Sequence, residues 1–221
     1  MNDRILLDKI DYDKGTITIE GKTYELKDKN FPTIDRDNPF ELTEGENTLI
    51  QTLAFSFMNS PTLQRHANYM YSKGGIYKIF NGNLLYHGCI PTKEDGSFDN
   101  VYIDNQNLYG KNYLKQAEDK VRKAFYCEFG SEEQLNALDY CWYLWCGPKS
   151  PLFGKNRMAT FERYFIEDKE THKENYNPYY YYVDSKEYCQ NILKEFNLDT
   201  EKSHIINGHV PVKTHKGESP I

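Results

Sequence analysis

Apolar and polar positions alternate early in the chain. Gly15-Thr16-Ile17-Thr18-Ile19 and Lys22-Thr23-Tyr24-Glu25-Leu26 flank Glu20-Gly21. A period of two on each side of a glycine turn predicts a β-hairpin. Phe31 to Pro39, rich in proline, aspartate and asparagine, reads as a loop. The spacing then changes. Thr43 followed by Glu46 forms a capping-box signature and opens a helix predicted to run to about Asn59. Pro61 starts a second helix reaching about Tyr71, closed by Gly74-Gly75. Ile76–Phe80 and Leu84–Tyr86 are short strands around Asn81-Gly82, a dipeptide that favours a tight hairpin turn.

Beyond these, residues 93–107 read as a polar loop. Tyr109–Tyr126 and Ser131–Trp145 read as helices, the second begun by Ser131 with Glu132 and Glu133. Gly147–Arg157 is a Pro/Gly-rich loop, and Lys169–Pro178 is polar and expected to be exposed. An aromatic run, Tyr179–Val183, precedes a helix over Ser185–Phe196, and His204–Asn207 is the last strand. Helices alternating with short strands give a mixed α/β (α+β) layer as the expected fold class. No internal repeat is evident.

Composition narrows the function classes. The chain has 221 residues and a net charge of −6, and no long basic stripe marks a nucleic-acid footprint. With 19 Tyr and 12 Phe it can bury a substantial aromatic core despite a polar average. No apolar run is long enough for a membrane span, and the first residues lack the apolar stretch of a signal peptide. The five cysteines, odd in number and without a C-x-x-C pair, fit a reduced cytoplasmic compartment better than a disulfide scaffold or a zinc knuckle.

Two short runs carry the candidate chemistry. Leu84-Leu85-Tyr86-His87-Gly88 and His204-Ile205-Ile206-Asn207-Gly208-His209 each set a histidine against a glycine just after a short apolar strand. At a strand end the imidazole projects from a rigid element, and glycine lets backbone, metal or phosphate approach. Imidazole is the commonest metal ligand, so the matching contexts nominate His87 and His209 as ligands of one ion. A histidine beside a glycine is also an ordinary turn residue, and it is the pairing that raises the metal reading. Cys89 and Cys146 need no thiolate role, and His66, His172 and His204 lack a comparable context. Tyr86 and Tyr179–Tyr182 read as core aromatics rather than a sugar-stacking surface.

Tyr86-His87-Gly88-Cys89-Ile90-Pro91 resembles the His-Gly-Gly block of calcineurin-like metallophosphatases, and Asn207-Gly208-His209 resembles their late Gly-His block. Trp145–Lys155, Thr160–Tyr164 and Asn207–Lys213 are more specifically similar to class III fructose-1,6-bisphosphatases, and the likeness covers nearly the whole chain. The resemblance implies a partial calcineurin-like β-sandwich flanked by helices. Residues 1–40 would be a hairpin and loop insertion, and 41–221 the middle-to-late part of one incomplete domain. It implies dinuclear Mn²⁺, fructose 1,6-bisphosphate as substrate, and hydrolysis to fructose 6-phosphate in gluconeogenesis. It implies neither nucleic-acid nor membrane partners and leaves a homo-oligomer open. His87 and His209 would bind the second metal. Arg157 would clamp a phosphate, its planar guanidinium matching two oxygens. Lys149, Lys155 and Arg163 would meet the second phosphate, with Lys213 close behind His209.

The family's Asp-x-His, Gly-Asp-x-x-Asp-Arg and Gly-Asn-His blocks do not occur here. They supply the first metal's ligands, the bridging aspartate and the general acid. The chain is therefore expected to be a fragment, interrupted at Lys216–Ile221 and inactive alone. Another phosphoesterase of the superfamily and a non-catalytic binding module are the competing readings.

Overall fold

The Glu20-Gly21 turn forms where the alternation predicts it, with both residues at positive φ (52° and 79°), the twist a two-residue hairpin turn requires. The structure is a computed structural model that describes residues 4–217. In chain order it contains β1 (Ile10–Asp11), β2 (Thr16–Ile19), β3 (Lys22–Glu25), α1 (Glu44–Met58), α2 (Pro61–Lys73), β4 (Tyr77–Phe80) and β5 (Asn83–Tyr86). Then follow β6 (Val101–Ile103), β7 (Gln106–Leu108), α3 (Gly110–Tyr126), α4 (Glu132–Cys146), α5 (Thr160–Phe165), α6 (Tyr179–Tyr182), α7 (Lys186–Glu195) and β8 (Ile205–Asn207). This is a mixed α+β fold of several small sheets and helices, divided into two compact units.

One unit comprises Met1–Lys73 and Ala159–Lys173. Its sheet is the antiparallel meander β1-β2-β3. The alternation in β2 buries Ile17 and Ile19, which cluster with Leu6, Ile10, Leu26 and Ile166. Ile166 arrives from far along the chain through a bridge to Leu26 and a hydrogen bond from Lys27 N to Phe165 O of 2.8 Å. Beneath that cluster Glu162 is fully buried. Its Oε2 accepts a hydrogen bond from Arg4 Nη2 at 2.8 Å, and its Oε1 lies 2.7 Å from Arg4 Nη1.

The two long helices of this unit start where the capping signals place them. Thr43 Oγ1 accepts from Glu46 N at 3.3 Å, while Thr43 N donates to Glu46 Oε2 at 2.9 Å. Neither α1 nor α2 has a buried residue. Their apolar side chains, such as Phe55 and Phe57, stay exposed.

The other unit comprises Gly74–Met158 and Glu174–Ile221. Asn81 and Gly82, again both at positive φ, close the β4–β5 hairpin. Across the sheet β5 pairs in parallel with β8 in the register Leu84↔Ile205, Leu85↔Ile206 and Tyr86↔Asn207. The core joins Leu84 and Ile90 to Tyr113, Leu114 and Ala117 on one face of α3, and to Ile192 and Leu193 on α7.

Two expectations change here. Residues 93–107 are not simply a loop: β6 and β7 form a hairpin through Asp104-Asn105, both at positive φ. Strands of three residues carry too few positions to display a period. The Lys169–Pro178 segment is not wholly exposed, because Thr171 and Asn177 are buried. The Asn177 carboxamide oxygen accepts from Thr92 N at 3.1 Å and Tyr179 N at 3.0 Å. A polar side chain goes inside where it satisfies backbone donors that would otherwise be orphaned.

Candidate metal centre

Because β5 and β8 run parallel and adjacent, the residues that follow them emerge at the same sheet end. Gly208 N donates to His87 O at 2.9 Å, so the pairing continues one step beyond the strands. His87 Nε2 then lies 3.0 Å from His209 Nδ1, with the ring planes at 75°. The sequence-predicted histidines are thus brought together. His209 sits at φ 65°, a left-handed conformation uncommon for a side chain other than glycine and typical of strained functional positions. Burial, followed by the neighbouring His87, pushes its imidazole pKa down, with Lys155 adding to that; a Phe153 backbone hydrogen bond acts the other way. The balance favours the neutral ring, the form that offers a lone pair.

The Pro/Gly loop after α4 buttresses this pair. Pro151 O accepts from Cys89 N at 2.9 Å. A Cβ on Gly88 would lie 2.4 Å from the same oxygen. Gly88 is therefore required by close backbone approach rather than by its φ. Gly88→Ala is expected to cost roughly 2–4 kcal/mol, read as a lowered urea midpoint, because backbone on both sides must shift.

Sequence reasoning missed the support beneath the site. Asn207 Nδ2 donates to Gly88 O at 3.1 Å and to Tyr179 Oη at 3.0 Å. Tyr179 Oη in turn lies 2.6 Å from Tyr86 Oη. Burial drives both phenols far above the ordinary tyrosine range, so they stay protonated and act as fixed dipoles. Asn207 preceding a Gly-His pair at a strand end was the one visible signal. Its partners Tyr86 and Tyr179 meet only in the folded chain.

The predicted cations are dispersed. Lys155 lies in the same loop as Phe153, and its Nζ is 2.8 Å from Glu174 Oε2 and 5.4 Å from the Tyr176 ring centre. Lys149 Nζ is held by Asp99 at 2.9 Å and by the Asn100 carbonyl at 2.9 Å. Arg157 is half-buried, next to backbone pinned by an Asn156 N to Asn175 O bond of 2.9 Å. Lys213 is exposed beyond β8, and exposed Arg163 belongs to the other compact unit.

The two imidazoles are at hydrogen-bonding distance, and that separation is also one that two ligands of a single ion can have. Two nitrogens each about 2.1 Å from a metal and at right angles to one another stand ~3.0 Å apart. Among the described residues, no group of three or more His, Cys, Asp or Glu side chains could hold a metal ion.

The family model for Firmicute fructose-1,6-bisphosphatase matches residues 1–221. This chain belongs to that family. It is 55% identical to a fructose-1,6-bisphosphatase class 3 of Clostridium tetani (strain Massachusetts / E88) and 54% identical to one of Clostridium novyi (strain NT). A third, of Clostridium botulinum (strain Loch Maree / Type A3), is 52% identical. Each match covers 100% of this chain and 33% of the relative, so the chain spans about a third of the length of these fructose-1,6-bisphosphatases. No solved structure matches it. Among the described residues, no helix is long and apolar enough to cross a membrane.

Proposed function

We propose that this chain contributes part of the dinuclear metal and phosphate site of an enzyme that hydrolyses fructose 1,6-bisphosphate to fructose 6-phosphate and phosphate. The observation that carries the reading is the 3.0 Å approach of His87 Nε2 to His209 Nδ1 at the ends of parallel neighbouring strands, in a chain of this family. The finer fold would be a portion of the calcineurin-like β-sandwich, with residues 1–40 as a hairpin and loop insertion and 41–221 as its middle-to-late part. That parting follows the family resemblance, whereas the compact units follow contacts. Five free cysteines suit a reduced, cytoplasmic setting.

His87 and His209 would hold one Mn²⁺ ion, and Asn207 and Gly208 fix the angle at which the two imidazoles are offered. Two bound ions supply an activated water and neutralise charge on the phosphoryl oxygens. The Arg157 guanidinium is the proposed phosphate clamp, and Lys155 adds positive charge beside His209. Lys149 can meet a phosphate only by exchanging Asp99 for it. Arg163 and Lys213 are proposed as further phosphate contacts in the family-length protein. The 221-residue chain on its own is expected to hydrolyse nothing, since two imidazoles do not complete a dinuclear site.

The test is phosphate release from fructose 1,6-bisphosphate by the family-length protein with Mn²⁺ and after chelation. Release that stops on chelation and returns with Mn²⁺ is expected. Release indifferent to chelation overturns the metal reading and leaves a binding module as the better account.

A further inference from the structure

A second concave site lies on the unit that carries the histidines, and neither histidine lines it. It is a cleft of about 800 Å³ between the β6–β7 hairpin, α4 and the start of the loop after α4, within the size range of small-molecule sites. Tyr140 and Tyr143, stacked on one another at 5.5 Å and 25°, line it alongside the polar side chains.

Its two cations are already paired. Lys120 Nζ is 2.6 Å from Asp104 Oδ1, and Gln116 occupies the other oxygen of that carboxylate at 3.1 Å. Lys149 is held by Asp99. Three polar side chains on the wall, Asn107, Asn136 and Asp139, make no hydrogen bond or ion pair with other described residues. With both cations held by carboxylates and Asp139 left over, the cleft as it stands suits an uncharged ligand better than an anion. Two carboxamides and a carboxylate can bond neighbouring hydroxyls as donors and acceptors. The tyrosine pair beside them adds apolar surface against which the C–H groups of a sugar can pack.

We infer that this cleft binds an uncharged, polyhydroxylated small molecule of the mono- or disaccharide class, at a site separate from the histidine pair. The ligand bridges α4 and the β6–β7 hairpin, with Asn136 and Asp139 on one side and Asn107 on the other.

Saturation-transfer NMR on the family-length protein, with maltose and cellobiose as probes, tests this. Transfer to ring protons of at least one sugar is expected. Asn136→Ala with Asp139→Ala should weaken its binding about tenfold or more, the effect of losing at least one hydrogen bond. Asn107→Ala repeats the test from the opposite wall. His87→Ala should leave sugar binding unchanged, and inorganic phosphate should not displace the sugar. All three wall positions are exposed, so circular dichroism of the variants should match the parent chain. No transfer to either sugar, transfer unaltered in both wall variants, or displacement by phosphate overturns the assignment. Failure here leaves the phosphatase reading untouched, because that is read by Mn²⁺-dependent phosphate release.

Discussion

Replacing His87 or His209 by alanine in the family-length protein is expected to lower Mn²⁺-dependent phosphate release by on the order of a hundredfold or more. Even partners that merely orient a metal's ligands cost 10–100-fold when removed, and the nearest nitrogens of these two rings lie 3.0 Å apart. The sharper expectation concerns the double variant. If both rings serve one ion, His87→Ala with His209→Ala costs little more than either change alone, because residues acting as a unit are strongly non-additive. Losses that multiply would place the histidines on separate tasks and sink the shared-ion reading. His209→Gly adds a control that separates chemistry from folding. Glycine accepts the left-handed backbone that His209 adopts without strain, so this variant should lose activity like alanine while keeping at least the parent's stability.

The second large effect concerns the other compact unit. Arg4→Ala is expected to destabilise it by about 3–5 kcal/mol, the usual loss when one partner of a buried ion pair is removed. The Glu162 side chain is fully buried, and Arg4 is itself only 19% exposed. Truncation leaves a carboxylate in an apolar cluster with no cation to offset its lost hydration. Arg4→Met combined with Glu162→Leu should recover much of the loss, since well-packed apolar replacements of buried pairs are often neutral or better. Urea denaturation followed by circular dichroism reads both. A single Arg4→Ala change within about 1 kcal/mol of the parent, the range of surface pairs, would show the contact to be dispensable.

Local signals carried most of what could be read from the chain. Thr43 with Glu46, Ser131 before its acidic turn, and the Glu20-Gly21 and Asn81-Gly82 turns each act over a few residues, and the folded chain uses them as expected. His87 and His209 were legible because glycine marks the strand ends on which they ride. What stayed hidden depends on distant partners. Leu26 does not announce that Ile166 will bridge to it, nor does Arg4 announce Glu162. Asn177 reads as a loop residue until Thr92 and Tyr179 bring backbone N–H groups to its carboxamide. Tyr86, Tyr179 and Asn207 look like two core rings and a turn residue. Only the parallel pairing of β5 with β8 turns them into a support for the histidine pair. The Lys149 and Lys155 ammonium groups were visible as charges, but not the carboxylates of Asp99 and Glu174 that occupy them.

That parallel pairing also governs the order of events in folding. β5 and β8 hydrogen-bond in register although most of their unit, and an excursion through the other, lies between them in sequence. Closing so long a loop is entropically slow compared with forming the β4–β5 hairpin. His87 therefore stands on a hairpin that can form early, whereas His209 reaches it only when β8 docks. An ion held by both rings, as proposed, would bind only the chain with β8 docked, so Mn²⁺ is expected to act as a folding ligand and slow release of the β8 edge.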